Sequence, residues 1–436
     1  MPAGAPSDDN PSRLRAPVGT YDILPPDSER WIALVQVFAQ RAARFGFDFV
    51  MTPIFEHREV FDRVGESTEI VSKEMYEFED KGGRAIALRP DGTTPVVRAF
   101  VQHRPAVPWS VWYVAPHFRY ERPQKARYRQ FWQLGAEVLG VDDPEVDVEI
   151  VDLAHGFYRD VGLDRFTLKI NSMGDEGTRA RYVEVLRSYY AQRGAALGPE
   201  FAERVAQNPL RLFDAKRDDW LEVIELAPQI TEYLSDAAED HFECVQRGLD
   251  ALGIRYEIDP RLVRGLDYYT RTTFEFQSHA IDAAQNAIGG GGRYDLLTQE
   301  MGGPPTPGIG FGIGLDRVLL ACDAEGLLQD VEPRADVFIV NGLGDPGAHQ
   351  VTLLATALRE SGLRVERAYG GRSVKAQWKV ADKSGAAFGV MLGRAEAERD
   401  AVAVKDLRSG AQVEVSREAL AAWLQARREE EEGTTA

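Results

Sequence analysis

Arg264-Gly265-Leu266-Asp267-Tyr268-Tyr269-Thr270 crowds an arginine, a carboxylate and two phenols into seven residues just before a strand-like run, Thr272 to Gln277. Such a set can recognise a small polar ligand, and an ion-paired strand edge would use the same residue types. Three other segments are rich in arginine, glycine or carboxylate where a fold alone does not need them: Leu88 to Thr94, Phe118 to Glu137, and Gly308 to Arg317. Within the second, Gln130 to Glu137 reads as a strand whose period-two alternation puts Phe131, Gln133, Gly135 and Glu137 on one face. That face makes a pocket floor. Phe131 offers a ring for stacking, Gly135 leaves space, and Gln133 and Glu137 present polar groups that are costly to bury without a ligand. For Phe131 alone, core packing is the competing use. The run Gly289 to Gly292 before Arg293-Tyr294-Asp295 either lets backbone approach a ligand closely or makes a tight turn before a helix.

The elements that must carry these residues are legible in outline. Trp31, Leu34, Val35, Phe38, Ala42 and Phe45 recur at helical spacing after Pro25-Pro26-Asp27. A strand follows at Phe49 to Ile54, where Pro53 suits an edge or an intersubunit boundary. Helical periodicity returns at Pro144 to Arg159, then a strand at Phe166 to Ile170. From about Asp175 to about Asp250 the pattern is helical without a long strand, which marks an insertion. Near Pro333 a new domain begins, with strands at Val337 to Val340, Val365 to Arg367, Phe388 to Leu392 and Val402 to Val404. Helices at Ala348 to Glu360 and Ser373 to Asp382 alternate with them, the pattern of a small α/β layered domain.

Composition narrows the classes. A chain of 436 residues with 44% apolar content can bury a large core in two or three domains. Cys244 and Cys322 fit neither a zinc spacing nor a disulfide framework, and no resident metal is expected. No apolar run approaches the roughly 20 residues that span a bilayer, and Met1 to Pro11 lacks the apolar stretch of a signal peptide, so a cytoplasmic protein without a membrane partner is expected. The net charge of -18 argues against a broad nucleic-acid surface, so any such contact is local. Two basic patches qualify, and both also read as solvated faces: Trp112 to Phe131 (net +4) and Arg364 to Arg394 (net +5). The insertion is acidic, and Arg427 to Glu432 reads as an acidic, frayed tail. The glycines at 308, 310, 312 and 314 do not fit G-x-G-x-x-G, and neither a Walker A loop nor an HExxH helix is present.

Together the four segments resemble the histidyl-tRNA synthetase family of class II aminoacyl-tRNA synthetases. The heptad belongs to that family. Phe118-Arg119-Tyr120-Glu121-Arg122-Pro123, followed by Arg127 and Phe131, looks like class II motif 2. Gly310 to Arg317 looks like motif 3, and Gly46 to Pro53 is similar to motif 1. The resemblance runs from about Pro17 to about Trp423. It implies an α+β fold: a class II core on a mostly antiparallel sheet with a helical insertion (17–332, insertion about 175–250), then a C-terminal α/β anticodon-binding domain (333–425). A disordered segment (1–16) would precede it and the acidic tail (426–436) would follow. The motif 1 helix and strand would form a homodimer interface.

The activity implied is ATP-dependent ligation of L-histidine to its tRNA through a histidyl-adenylate, with Mg2+. Arg119 would grip the α-phosphate, where bidentate geometry favours Arg over Lys. Arg127 and Arg317 would hold the β and γ phosphates and the outer face of adenine, with Glu121 beside them and Phe131 under the base. Glu137 and Tyr269 would read the imidazole, since paired polar groups reject analogues that lack them. Asp91, Thr93 and Gln133 would hold the α-ammonium, with Tyr268 adjoining. Arg264 would bind the reacting carboxylate or α-phosphate, supplying charge that other class II enzymes take from a metal. Gln124 and Lys125 in the loop Arg122 to Tyr128 would meet the acceptor end of tRNA. Arg372 and Lys375, with Gln377 and Lys383, would face the anticodon; solvated helix positions are the other reading.

Three residues depart from the family pattern. Asp91 stands where Glu is usual and is one methylene shorter, so its ammonium contact is less direct or water-bridged. Ala126 replaces a frequent Gly, which matters only where the backbone needs positive φ. Trp132 replaces a smaller aromatic or His and is expected to point away from Phe131. Among competing readings, the regulatory subunit of ATP phosphoribosyltransferase usually lacks the anticodon domain and parts of the heptad. Synthetases for proline, threonine or glycine would share Arg119 and Arg317 but not the heptad. A structural or signalling protein on a dead synthetase core would show eroded motifs, and none is eroded here.

Overall fold

The computed structural model describes residues 14–65, 70–124, 126–215, 217–263, 265–281, 286–329 and 335–434. The chain divides into two compact units, Met1–Gln329 and Asp330–Ala436. In the first, helices α1 (Asp27–Arg44), α2 (Glu59–Gly65), α3 (Thr93–His103), α4 (Pro144–Val161), α5 (Glu176–Arg193), α6 (Pro199–Gln207), α7 (Asp218–Glu225), α8 (Asp236–Ala251), α9 (Leu297–Glu300) and α10 (Leu315–Glu325) surround eleven strands. The strands are β1 (Asp48–Phe49), β2 (Phe55–His57), β3 (Tyr76–Glu79), β4 (Ala85–Leu88), β5 (Trp109–Phe118), β6 (Gln130–Leu139), β7 (Phe166–Ser172), β8 (Tyr256–Ile258), β9 (Thr270–Ser278), β10 (Ala287–Arg293) and β11 (Gly308–Gly314). Eight form one sheet in the order β1-β5-β6-β11-β10-β9-β7-β8, antiparallel except for the two edge pairs. A small antiparallel sheet, β2-β4-β3, stands apart.

Alternation divides the large sheet into two unlike faces. Leu134, Ala136 and Val138 of β6, Ile309, Phe311 and Ile313 of β11, and Phe274 and Phe276 of β9 fill one core with α1, α4, α8 and α10. In α1 the stripe Leu34, Phe38, Ala42 is buried at four-residue steps, while Asp27 and Glu29 at its start and Arg41 and Arg44 at its end complement the helix dipole. Asp143 caps α4 by accepting from the Glu145 amide, Pro144 takes the first-turn position, and left-handed Gly162 ends it. On the opposite face α3 and α9 cover one end of the sheet with Val96, Val97, Phe100 and Leu297. The rest of that face carries the site.

The strand expected at Phe49 to Ile54 shortens to β1, because beyond Phe49 only the Val50 amide pairs with β5, through the Trp112 carbonyl. Gly289 to Gly292 is neither turn nor loop but the middle of β10, between β9 and β11. A Cβ at Gly291 would overlap the Gly310 carbonyl and one at Gly292 the Thr272 carbonyl, so this run lets three strands close up. The insertion is helical among its described residues and has its own core of Tyr182, Leu186, Tyr190, Phe201 and Trp220.

The second unit contains β12 (Val337–Asn341), α11 (Ala348–Glu360), β13 (Val365–Arg367), α12 (Val374–Ser384), β14 (Phe388–Leu392), α13 (Arg394–Glu398), β15 (Ala401–Asp406), β16 (Gln412–Ser416) and α14 (Arg417–Thr434). Its sheet order is β13-β12-β14-β15-β16, parallel around β12 and antiparallel beyond β14. The stretch Arg427 to Glu432 is not a frayed tail. It continues α14, whose Leu420 and Leu424 are anchored in this unit's core. The strand β16 and the helix α13 extend the layered pattern read from sequence. Of the segment 1–16, residues 1–13 lie outside the described residues. Among the described residues no helix is long and apolar enough to cross a membrane.

Candidate active site

A cavity of about 900 Å3 opens on the second face of the large sheet. It brings together Asp91, Thr93, Arg119, Glu121, Arg127, Phe131, Gln133, Tyr268, Tyr269 and Arg317, from segments spread over more than half the chain. Gly265 and Leu266 of the heptad also line it. Arg264 and Lys125 lie outside the described residues.

The floor is shorter than strand alternation implies. Phe131 and Gln133 of β6 face the cavity, but Gly135 is roofed by the ring of Tyr113, its partner on β5, which a Cβ there would overlap. Glu137 sits beneath, with no exposure at all. Its carboxyl accepts from Thr93 Oγ1 at 2.7 Å, Tyr113 hydroxyl at 3.2 Å and Tyr294 hydroxyl at 2.6 Å. Burial pushes its pKa up to about 8, against the pull of those hydroxyls and with further push from Asp91. The alternation Gly308, Gly310, Gly312, Gly314 follows from this site. All four point to the site face of β11, and a Cβ at Gly310 would overlap Glu137 Oε2 while one at Gly308 would overlap Tyr294.

Asp91 stands just ahead of α3, whose N-cap Gly92 has no side chain to offer. Its Oδ2 accepts from the Thr94 amide at 3.2 Å, Thr94 Oγ1 at 2.8 Å and the Tyr268 hydroxyl at 3.4 Å. The shorter side chain therefore serves the helix start as well as the cavity. Burial raises its pKa, opposed by Thr94, Arg119 and Tyr268. Tyr268 and Tyr269 pack ring against ring at 4.7 Å, and Tyr294 meets Tyr268 edge-on at 5.9 Å.

The arginines line the cavity from three directions. Arg119 donates to the Pro90 carbonyl at 3.0 Å and holds its guanidinium 5.2 Å from the Phe131 ring centroid, a cation–π arrangement. Arg127 is ion-paired with Glu121, and Arg317 donates to the Ala287 carbonyl at 2.8 Å. In the motif 2 loop Gln124 and Arg127 exchange backbone hydrogen bonds at 3.0 Å, and Ala126 takes φ +57°, the left-handed conformation in which glycine is favoured. Trp132 does turn from Phe131, meeting Trp31 of α1 edge-on at 5.2 Å, though it still reaches the cavity wall. Tyr128 packs on Tyr21 at 4.5 Å, and Tyr21 hydrogen-bonds to Asp316, whose pKa burial raises to about 6.

In the second unit Arg372 and Lys375 are exposed at the start of α12. Gln377 is not available to a ligand: buried, it accepts from the Asn341 amide at 2.8 Å and donates to the carbonyls of Asn341 and Arg372. Sequence reasoning passed over Tyr113, Tyr294, Glu275, Gln277 and Asp316, and the insertion residues Arg204, Asn208 and Arg211 that wall the cavity. Tyr294 carried a signal as the neighbour of the glycine run, Glu275 and Gln277 as alternate positions of the strand-like run Thr272 to Gln277, and Asp316 as part of the motif 3 segment. Tyr113 and the insertion residues reach the site through long-range packing that has no local signature.

The family model described as histidyl-tRNA synthetase matches residues 19–318, and the one described as anticodon binding domain matches 339–427. A histidine–tRNA ligase from Geobacillus kaustophilus is 47% identical over 425 residues, covering 96% of this chain and all of the relative. One from Mycobacterium tuberculosis is 45% identical over 94% of this chain and 97% of its own. The crystal structure of apo Staphylococcus aureus histidyl-tRNA synthetase superposes with a TM-score of 0.80 at 35% identity, over 94% of this chain and all of that one. The fold, the motifs and these likenesses agree: the chain belongs to the histidyl-tRNA synthetase family.

Proposed function

We infer that this chain joins L-histidine to its tRNA in two steps at the expense of ATP. In the first, a histidine carboxylate oxygen attacks the α-phosphorus, the bond to the bridging oxygen breaks and pyrophosphate leaves. In the second, a ribose hydroxyl of the terminal adenosine attacks the adenylate carbonyl and AMP leaves. The work of the protein is positioning and charge neutralisation.

The observation that carries the reading is Glu137 in its cage of Thr93, Tyr113 and Tyr294, directly beneath the floor of a cavity walled by Arg119, Arg127 and Arg317. A carboxyl that keeps its proton to about pH 8 can both donate and accept, so beyond the three hydroxyls it has capacity for one more ring nitrogen. Glu137 thereby selects an imidazole, with Tyr269 beside it. Asp91, Thr93 and Gln133 take the α-ammonium. Phe131 stacks the adenine, while Arg119 holds the α-phosphate and Arg127 and Arg317 the outer phosphates. Arg264 neutralises the reacting carboxylate. Gln124 and Lys125 meet the acceptor end of tRNA, and Arg372 and Lys375 the anticodon.

Among the described residues no group of three or more His, Cys, Asp or Glu could hold a metal by itself. That donor set fits Mg2+ arriving with ATP, which keeps most of its water and needs only one or two carboxylates besides phosphate. Glu121 and Glu275, two of the carboxylates that line the cavity, would help hold it, and the ion would neutralise phosphate charge. Phe49, Met51, Ile54 and Phe55 are exposed within one short stretch of the chain, and this apolar surface supports a homodimer through the motif 1 region. A cytoplasmic setting suits the free thiols.

The experiment is amino-acid-dependent ATP–pyrophosphate exchange with Mg2+ across all twenty amino acids. Exchange with histidine alone is expected. Exchange with none, from folded protein, would overturn the reading in favour of a non-catalytic relative.

A further inference from the structure

The helical insertion converges on one carboxylate of the heptad. Asp267 Oδ1 accepts from Arg211 Nη2 at 2.8 Å and Asn208 Nδ2 at 3.3 Å, and Arg179 Nη2 lies 3.9 Å away. The same arginines grip the backbone on either side. Arg211 donates to the Gly265 carbonyl at 2.9 Å, and Arg179 to the carbonyls of Asp267 and, at 3.5 Å, Tyr269. These donors come from three places in the insertion: α5, the residue after α6, and the 3-10 turn Pro209–Asp214. The insertion core around Trp220 is built of apolar side chains and includes none of these three. Immediately after Asp267 come the two tyrosines that enter the cavity, the first hydrogen-bonded to Asp91.

We propose that Asp267 is a positioning residue, the latch through which the helical insertion holds the Gly265–Tyr269 loop in place against the amino-acid pocket. Charge-assisted bonds from two guanidinium groups give the loop one arrangement that neither its glycine nor its tyrosines would impose. Coupling of this kind is reciprocal: a ligand that fixes the insertion raises amino-acid affinity, and the amino acid in turn stiffens the insertion. Since that insertion also walls the cavity, the acceptor end of a tRNA is the ligand placed to use the latch. The proposal rests on the assignment of Tyr268 and Tyr269 to the amino-acid pocket.

Asp267→Asn keeps the shape of the side chain and removes its charge. In exchange assays on the full-length protein, loss of a charge-assisted hydrogen bond should raise the KM for histidine about ten- to hundredfold and leave that for ATP within about twofold. Arg179 is not part of the cavity wall and its hydrogen bonds go to the loop backbone, so the same split from Arg179→Gln supports transmission through the loop. The double variant should be no worse than the more affected single one. Amide hydrogen exchange over residues 265–269 should quicken in both. An unchanged histidine KM, equal rises in both KM values, or multiplying single effects would overturn the latch. Should Asp267→Asn fail to fold, Arg179→Gln decides alone by the same criteria. The hydrogen-exchange arm needs no activity, so unchanged exchange sinks the latch even where the substrate is another amino acid; a wild-type protein that activates none tells instead against the reading of the site.

Discussion

At the scale of single residues the site depends on a carboxyl kept in an apolar, hydroxyl-lined cage. Glu137 holds its proton to about pH 8, whereas an unfolded glutamate releases it near 4.5. Between those values the folded state binds more protons than the unfolded state, so this group's contribution to stability falls as pH rises. Glu137→Gln, neutral at every pH, should flatten that fall. Melting temperatures from pH 5 to 8.5 check it, with Asp91, whose pKa is also raised, common to both proteins. The same variant should lower histidine-dependent exchange at least tenfold, the scale at which a buried hydrogen-bonding site discriminates, while the KM for ATP stays put. Unchanged activation would mean that Glu137 does not read the imidazole. Ala126 offers a second case. Its left-handed backbone costs an L-residue about 1–2 kcal/mol, and glycine's extra unfolded entropy returns about half of that, so Ala126→Gly should stabilise by about 0.5–1 kcal/mol. A lower melting temperature would show that the loop does not pay this strain in solution.

At the scale of elements, the strands say which parts of the site are local and which are not. The cavity positions of the Phe131 ring and the Gln133 amide were legible because both sit on one face of a single strand. Glu137 lies on that face too, yet Tyr113, reaching across from β5 to cover Gly135, puts it under the floor. Pairing between strands decides that, and alternation within one strand is blind to it. Helix and strand positions in the second unit were readable for the complementary reason: buried apolar runs alternate there with amphipathic helices. The acidic end of α14 misled because its charge was weighed ahead of its helix propensity: Arg and Glu are good helix formers, and the segment continues a helix anchored by Leu420 and Leu424. The glycines of β11 tie element to residue. Gly310→Ala would drive a methyl group into Glu137 Oε2 and the Ala136 carbonyl from the middle of a paired strand. Overpacking of this kind costs about 1–3 kcal/mol, so the protein should still fold while histidine activation falls tenfold or more. Normal exchange in a folded Gly310→Ala protein would show that Glu137 can move without loss.

At the scale of the whole molecule the two units differ in what they could do alone. Every cavity residue lies in Met1–Gln329, which contains the eight-stranded sheet, its two-sided packing and the insertion with its own aromatic core. The second unit has a separate core around Val337, Val390, Val402 and Leu424, and an exposed cationic start to α12 where the net charge of the chain is strongly negative. Phosphate contacts supply most of the affinity for a nucleic acid, and here the cations lie in two local patches far apart in sequence. On the proposed assignment, adenylate formation would need only the first unit, whereas tRNA charging would draw on both patches. A chain ending at Gln329 should therefore retain histidine-dependent exchange within about threefold and lose tRNA charging by tenfold or more, mostly through a higher KM for tRNA. The intact protein with Arg372 and Lys375 both changed to Ala should move in the same direction, and its charging should become less sensitive to salt, since fewer phosphates are neutralised. If the shortened chain charges tRNA as well as the full one, the second unit has no part in binding it, and the basic start of α12 is only a solvated face.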